Sequence, residues 1–229
     1  MLATSSAARS LRVVPSAPKR IVAIGDSVIY GYGDPEGGGW VERLRRYWMQ
    51  PGTPDHALYN LGVRGDSVGK VLERLDHEFR TRGELRNRLP EVLILSVGIN
   101  DSARVGKPEG RHYTDFETFQ HQMATLLEEA RDLCPVFFVG MTPVLAEAMP
   151  FAEVLYYSQA DQFRYKEATK QLCAQVNVPY LDIFDLWLNR GEIWWRSRLS
   201  EDGLHPNVQG YRSLFEEVTR WPAWRDHID

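Results

Sequence analysis

The chain has 229 residues and a formal net charge of −4 at pH 7; 43% of its residues are hydrophobic and 25% are charged. This length suits one domain with a sizeable core, and the composition is typical of a soluble globular protein. The slight acidity offers no basic surface for nucleic acid, and no stretch approaches the roughly 18 apolar residues of a membrane span. We therefore expect no nucleic-acid partner and no membrane span.

Residues 1–19 are rich in Ala and Ser, contain no acid, and lack the apolar core of a secretory signal. We expect them to form a loosely ordered arm, with a cleaved transit segment as the alternative, ahead of a single domain over residues 20–229. The two cysteines, Cys134 and Cys173, have neither the number nor the spacing of a disulfide framework or metal site. We expect a cytoplasmic protein without metal or cofactor.

The first predicted element is a strand that stops at a serine. Residues 21–24 form a continuous apolar run, typical of a strand buried on both faces of a parallel sheet. Gly25 permits a sharp turn, and Ser27 then follows at the carboxyl edge, where open α/β sheets place their ligands. Ser27 is thus a candidate nucleophile, although Gly65-Asp66-Ser67 repeats the same tripeptide.

Strands and helices alternate along the rest of the chain. Short apolar runs predict four further strands, at residues 57–61, 92–95, 136–139 and 179–183. Apolar side chains at helical spacing predict helices over residues 41–48, 68–79, 116–130, 155–176 and 208–218. The second of these helices has Asp66 or Ser67 as its predicted N-cap. This alternation predicts one three-layer α/β/α domain around a parallel sheet, with right-handed crossovers.

Five residues that suit acyl transfer follow the carboxyl ends of the predicted strands. Ser27 follows the first strand, Gly65 the second and Asn100 the third, while Asp202 and His205 follow the fifth. An imidazole can take a serine proton near neutral pH, and a carboxylate three residues earlier can fix its tautomer and orientation. The backbone N–H groups of Ser27 and Gly65, with the Asn100 amide, could bind the oxyanion of a tetrahedral intermediate.

Four segments that carry these residues resemble, in order, the sequence blocks of the SGNH (GDSL) hydrolases. The segments are Gly25-Asp26-Ser27, Asn60-Leu61-Gly62-Val63-Arg64-Gly65, Gly98-Ile99-Asn100-Asp101 and Asp202-Gly203-Leu204-His205-Pro206. The resemblance extends over about residues 20–215. It implies a flavodoxin-like fold with a five-stranded parallel sheet, and an esterase, lipase, thioesterase or carbohydrate deacetylase. Val28 is a mild departure, since the family has leucine or isoleucine there.

The resemblance also implies residue roles. Ser27 matches the nucleophile, Asp202 and His205 match its partners, and Gly65 and Asn100 match the oxyanion donors, whereas Ser67 matches no functional position. We predict a serine hydrolase that cleaves a small-molecule ester or thioester through an acyl-enzyme. An acyltransferase with the same triad stays open as an alternative. A third reading is a flavodoxin-like binding domain, but the chain after the first strand lacks a Ser/Thr-rich phosphate loop.

Side chains in the predicted edge loops give expectations about the substrate. Trp194 and Trp195 lie shortly before Asp202, so we expect them at the mouth of the pocket. No loop carries a long run of small or aliphatic residues that would wall a deep acyl tunnel. We therefore expect a short acyl chain, beside a polar or anionic leaving group. The loop arginines that suit such a group are Arg104, Arg111, Arg190, Arg196 and Arg198. The sequence leaves the oligomeric state open.

Overall fold

The computed structural model describes residues 17–83 and 88–228 of the chain. Of the arm predicted for residues 1–19, residues 1–16 lie outside the described residues. The loosely ordered arm therefore stays a prediction. The cytoplasmic location also stays a prediction. Within the described ranges, no helix combines the length and the apolar composition needed to cross a membrane.

Seven strands form two sheets within the described residues. The strands are β1 (Arg20–Gly25), β2 (Ala57–Gly62), β3 (Val92–Ser96), β4 (Arg104–Val105), β5 (Val136–Val139), β6 (Leu155–Tyr156) and β7 (Tyr180–Leu181). The main sheet is parallel with the order β2-β1-β3-β5-β7, whereas β4 and β6 form a separate antiparallel pair. Counted along the chain, the main-sheet order is 2-1-3-4-5, the flavodoxin-like arrangement.

The helices lie between and after these strands. They are α1 (Ser27–Tyr30), α2 (Gly39–Trp48), α3 (Val68–Thr81), α4 (Phe116–Leu133), α5 (Gln159–Gln175), α6 (Ile183–Leu188), α7 (Glu192–Arg196), α8 (Val208–Arg220) and α9 (Pro222–Ile228). Short 3-10 turns occur at Asn100–Ser102 and Ala146–Ala148. The Ser67 side chain accepts a hydrogen bond from the Lys70 amide at 3.4 Å, which confirms Ser67 as the N-cap of α3.

Helices cover both faces of the main sheet. Alternate residues of a strand face opposite sides, so Val22 and Ile24 of β1 pack with α3, α4 and α5. Ile21 and Ala23 face the other way and pack with α2, α8 and α9. Every residue of β3 and β5 is buried, as expected for a sheet covered on both sides. The three-layer α/β/α fold predicted from the sequence is confirmed.

Two predicted boundaries are wrong, and side-chain capping explains both. The strand predicted over residues 179–183 ends at Leu181, because the Asp182 carboxylate accepts a hydrogen bond from the Asp185 amide at 3.2 Å and begins α6. Leu155 lies in β6 rather than in the following helix. That helix, α5, begins only at Gln159, where Ser158 Oγ accepts from the Asp161 amide at 3.1 Å.

The carboxyl ends of the central strands lie side by side, and their register places the loops that matter for function. Gly25 is aligned with Gly62 of β2 and with Ser96 of β3. A Cβ at Gly25 would lie only 1.9 Å from the Ser96 carbonyl oxygen, so the position requires glycine. The loops that follow β1, β2 and β3 therefore emerge together at one edge of the sheet.

Candidate active site

Ser27 is held at the start of a four-residue helix directly after β1. The Asp26 carboxylate accepts a hydrogen bond from the Val28 amide at 2.9 Å and caps α1. Gly31 ends the helix with a φ of 86°, in the left-handed region that glycine adopts easily. The strand-to-helix turn leaves Ser27 only 4% exposed, with its hydroxyl directed at a histidine from the other end of the chain.

A chain of two hydrogen bonds links Ser27, His205 and Asp202. Nδ1 of His205 lies 2.7 Å from Oδ2 of Asp202, and Nε2 of His205 lies 2.8 Å from Oγ of Ser27. Because the Asp202 carboxylate is an acceptor, Nδ1 of the neutral ring carries the proton and donates it. Nε2 is then left to accept a hydrogen bond from the Ser27 hydroxyl.

The Asp202 carboxylate is fixed by further donors. Its Oδ1 accepts hydrogen bonds from the amides of Leu204 and His205, each at 2.9 Å, and from Ser200 Oγ at 2.6 Å. Burial alone would raise the pKa of Asp202, but hydrogen bonds from the His205 ring, the backbone and Ser200 outweigh it and lower the pKa. Asp202 is therefore a stable anion behind the imidazole.

Gly65 and Asn100 lie beside Ser27 and carry hydrogen-bond donors. Asn100 Nδ2 donates to the Asp66 carbonyl at 2.9 Å, and Tyr157 Oη donates to Asn100 Oδ1 at 3.2 Å, which fixes the orientation of the amide. One amide hydrogen of Asn100 remains. The backbone amides of Ser27 and Gly65 donate to no other residue in the part of the chain that the structure describes.

These residues line one open pocket with a volume of about 360 Å³. Its lining consists of Ser27, Arg64, Gly65, Asn100, Tyr113, Phe151, Leu155, Leu204 and His205. The rings of Tyr32 and Phe151 flank the His205 imidazole, with centroids 4.5 and 5.5 Å away. The pocket thus combines a serine, a histidine and hydrogen-bond donors with apolar walls, a combination that can bind and polarise a carbonyl group.

Three buried aspartates connect the loops beneath the pocket. Asp101 accepts hydrogen bonds from the Val68 amide at 3.0 Å and from Thr114 Oγ1 at 2.7 Å. Asp66 pairs with Arg74 at 2.8 Å, and the same guanidinium donates to the Gly25 carbonyl. The third is Asp26, the cap of α1. Burial raises the pKa of Asp26 to about 7 and that of Asp101 to about 6.

The structure corrects the prediction that Trp194 and Trp195 lie at the pocket mouth. Neither side chain belongs to the lining of the Ser27 pocket. Trp195 is only 5% exposed and packs in the core on the α2 and α8 side of the sheet, and Trp194 packs against that core and against Trp187. Proximity in sequence to Asp202 was misleading because α7 directs Trp195 into the core and places the half-buried Trp194 against that core, beneath Arg190 and Arg198.

Most arginines predicted to face the substrate have partners of their own. Arg104 makes two hydrogen bonds to Asp161, at 2.7 and 2.8 Å. Arg190 pairs with Glu217, Arg196 pairs with Glu147 and Glu192, and Arg198 donates to Ser197 and Ser213. Arg111 lines a neighbouring hollow that shares Tyr113 and Leu155 with the Ser27 pocket. Arg64 lines the Ser27 pocket itself, although the sequence analysis assigned it no role.

Other site residues that the sequence analysis missed come from irregular segments. Phe151 follows a 3-10 turn, Tyr157 follows the two-residue strand β6, and Tyr32 lies in the loop after α1. None stands in a periodic pattern that could have predicted its direction. Arg64 could have been identified from the sequence, since it stands directly before Gly65 in a segment that resembles a family block.

One carboxylate cluster could be mistaken for a metal site. Oxygen atoms of Glu167, Asp182 and Asp185 lie within 4.8 Å of one another. Among the described residues, this is the one group of three or more acidic, histidine or cysteine side chains close enough to share a metal ion. The Lys166 ammonium already lies between them, 2.7 to 3.0 Å from each carboxylate, with its side chain fully buried. Lys166 and Lys170, which lies 2.7 Å from Asp182, together offset most of the negative charge of this cluster.

The family follows from the sequence as a whole. The family model of the GDSL-like lipase/acylhydrolase family matches residues 23–213, which is most of the chain. The chain belongs to this family, and the resemblance inferred from the four sequence blocks is confirmed. Membership supports a hydrolase that acts on a small-molecule ester.

Individual proteins are similar to this chain in sequence or in structure. The chain is 26% identical over 218 residues to the uncharacterized protein YpmR of Bacillus subtilis (strain 168), covering 86% of this chain and 79% of that protein. A lipase/acylhydrolase from Enterococcus faecalis has a similar structure, with a TM-score of 0.71 and 22% identity over 88% of this chain and 94% of that chain. A catalytic mutant of Axe2, an acetylxylan esterase from Geobacillus stearothermophilus, has a TM-score of 0.64 and 18% identity over 89% and 94% of the two chains. These structural similarities support the fold.

The buried Asp26 carboxylate should make the stability of the protein depend on pH. Its pKa is raised from 3.8 to about 7, so between these values the native state binds more protons than the unfolded state. Stability from this group is therefore present at low pH and is lost as pH rises toward 7. Asp26→Asn keeps a capping oxygen for Val28 but cannot ionise. Urea unfolding measures the free energy of unfolding of the variant and of the unmodified protein. The difference between them should shift in favour of the variant by on the order of a few kcal/mol as the pH is raised from 5 to 8.

Asp115→Asn is the matched control, since Asp115 also caps a helix but is exposed to solvent. Hydrogen bonds from Thr118 lower the pKa of Asp115, so this carboxyl is ionised in both the folded and the unfolded state above pH 5, and its replacement should change stability by an amount that stays constant from pH 5 to pH 8. A difference between Asp26→Asn and the unmodified protein that stays flat from pH 5 to pH 8 would contradict the account.

Proposed function

We propose that this protein is a serine hydrolase that cleaves a carboxylic ester or thioester through an acyl-enzyme on Ser27. The observation that carries the proposal is the hydrogen-bonded chain from Ser27 Oγ through the His205 ring to Asp202, with contacts of 2.8 and 2.7 Å. A serine hydroxyl is a weak nucleophile until a base takes its proton, and this arrangement supplies the base and its orienting carboxylate.

The reaction follows from the positions of the protons. His205 Nε2 takes the hydroxyl proton as Ser27 Oγ bonds to the carbonyl carbon, and the Asp202 carboxylate stabilises the imidazolium. The imidazolium then gives this proton to the leaving alcohol or thiol as the tetrahedral intermediate collapses to the acyl-enzyme. His205 next activates a water molecule, which releases the carboxylic acid and restores Ser27. An alcohol in place of this water would give acyl transfer, so product analysis separates the two reactions.

The negative oxygen of the tetrahedral intermediate needs donors that are already in place. We assign this role to the backbone amides of Ser27 and Gly65 and to Asn100 Nδ2. Their lack of other partners, and the fixing of the Asn100 amide by Asp66 and Tyr157, support the assignment. Preorganised donors of this kind typically contribute about 3 to 4 kcal/mol each to lowering the barrier.

The pocket favours a short acyl chain. Phe151, Leu155 and Leu204 line the pocket beside Ser27 and His205, and the pocket has a volume of about 360 Å³. This volume is near the lower end for ligand pockets. The solved structures described above include an acetylxylan esterase and a lipase/acylhydrolase, which agrees with an ester substrate.

The duplicated Gly-Asp-Ser tripeptide provides a test with an internal control. Ser27→Ala should reduce kcat on a 4-nitrophenyl ester by on the order of a million-fold, the usual cost of losing a triad nucleophile. Ser67→Ala removes the cap of α3 and should lower stability by about 1 kcal/mol while leaving most of the activity. If Ser67→Ala were inactive and Ser27→Ala active, the proposed nucleophile would be wrong.

The acyl-chain preference can be measured directly. We expect kcat/KM for acetyl to butyryl esters to exceed that for esters of ten or more carbons, because Phe151 and Leu155 restrict the space beside Ser27. Phe151→Ala should narrow this difference, since each added buried methylene can contribute about 0.8 kcal/mol to binding. Trp195→Ala is the matched control: it removes a core indole, so it should lower stability without changing the preference. Faster cleavage of long-chain esters by the unmodified protein would point to a lipase instead.

A further inference from the structure

Among the described residues that line the Ser27 pocket, Arg64 alone carries a permanent charge. The other lining side chains are neutral or, for His205, titratable, and no carboxylate belongs to the lining. Arg64 stands directly before Gly65, so its position is coupled to a proposed oxyanion donor. Any charged group that enters this pocket with the substrate therefore meets a guanidinium.

The Arg64 guanidinium has no acidic partner. Its Cζ lies 4.1 Å from the centroid of the Tyr32 ring, and no carboxylate within the described ranges lies close enough to form an ion pair with it. Arg104, Arg190 and Arg196 differ in this respect, since each is paired with an acid. The contact with the Tyr32 ring positions the guanidinium, and its N–H groups donate to no residue within the described ranges, so they are available to a ligand.

The surroundings favour an anion at this place. The neighbouring hollow, which shares Tyr113 and Leu155 with the Ser27 pocket, adds Lys70 and Arg111 to its lining. The acid there, Glu73, pairs with Lys70 at 3.0 Å, whereas Arg111 has no acid within ion-pair distance among the described residues. Of the buried aspartates beneath the pocket, Asp66 pairs with Arg74, and burial raises the pKa of Asp26 and of Asp101, which favours their neutral forms. The Asp202 anion lies behind the His205 ring, to which it is hydrogen-bonded.

We propose that Arg64 binds an ionised acid group of the substrate, so that the preferred ester carries a carboxylate in addition to the scissile bond. This inference rests on the proposed function and specifies its substrate class. A guanidinium can bind a carboxylate through two parallel hydrogen bonds, which fixes the orientation of the ester as well as attracting it. The carboxylate could belong to the acyl group or to the leaving group, and matched substrates distinguish the two cases.

The test compares esters that differ only in charge. For the acyl side, the pair is mono-4-nitrophenyl succinate and its methyl ester, followed by release of 4-nitrophenol. For the leaving-group side, the pair is 4-acetoxybenzoate and its methyl ester, followed by release of the phenol. In at least one pair the unmodified protein should prefer the carboxylate. Arg64→Gln should reduce that preference, the ratio of the two kcat/KM values, by about tenfold, the usual scale for a charged hydrogen bond.

Arg212→Gln is the control variant, since it removes the same charge from an exposed arginine that does not line the Ser27 pocket. It should leave the preference unchanged, and added salt should weaken the preference of the unmodified protein more than that of Arg64→Gln. Equal losses on charged and neutral esters in Arg64→Gln would overturn the proposal, because Arg64 would then act through Tyr32 on His205. Hydrolysis of neutral esters with no preference in either pair would overturn the Arg64 proposal alone. Absence of turnover of all four esters would overturn the proposed function together with it.

Discussion

The hydrogen bond of 2.8 Å between Ser27 and His205 joins residues 178 positions apart, and much of the structure serves to place its two ends. At one end, β1 runs so close to β3 that only glycine fits at position 25, and the Asp26 cap turns the chain at once into α1. At the other end, Asp202 accepts from two backbone amides and so folds residues 202–205 around its own carboxylate. A shift of about 1 Å at either end would separate the serine from its base.

Polar groups buried beneath the pocket connect these ends to the rest of the sheet edge. Asn100 binds the Asp66 carbonyl, Asp101 binds the first residue of α3, and Arg74 joins Asp66 to the end of β1. A buried polar group without a partner costs on the order of 1 to 3 kcal/mol, so such a network favours one arrangement of its loops. The donors proposed for the oxyanion are thus held before any substrate binds. The cost of this arrangement is the burial of Asp26 and Asp101, whose raised pKa values record it.

Much of the fold and the central residues of the site could be predicted from the sequence. Apolar runs such as residues 92–95 are reliable because a strand buried on both faces has almost no alternative composition. Ser27, Gly65, Asn100 and His205 could be grouped because parallel strands bring their carboxyl ends to one edge. Their geometry could not be predicted, since a distance such as the 2.7 Å between His205 and Asp202 depends on the packing of the whole loop.

The pocket walls were beyond prediction for a different physical reason. Whether Trp195 faces the pocket or the core depends on the rotation of α7, and a helix of five residues carries too little periodicity to indicate it. Whether an arginine is free for a substrate depends on partners far along the chain: Arg104 binds Asp161, 57 positions away. Phe151 and Tyr157 reach the site from irregular segments, where side-chain direction follows from tertiary contacts alone.

The most direct test of the central claim, that His205 activates Ser27, is labelling with a fluorophosphonate followed by peptide mass spectrometry. Trypsin separates the two candidate serines, since cleavage after Arg20 and Arg43 places Ser27 in residues 21–43, and cleavage after Arg64 and Lys70 places Ser67 in residues 65–70. The account predicts an adduct on the first peptide and none on the second, formed far more slowly in His205→Ala. An adduct on residues 65–70, or labelling of Ser27 at an unchanged rate in His205→Ala, would contradict it.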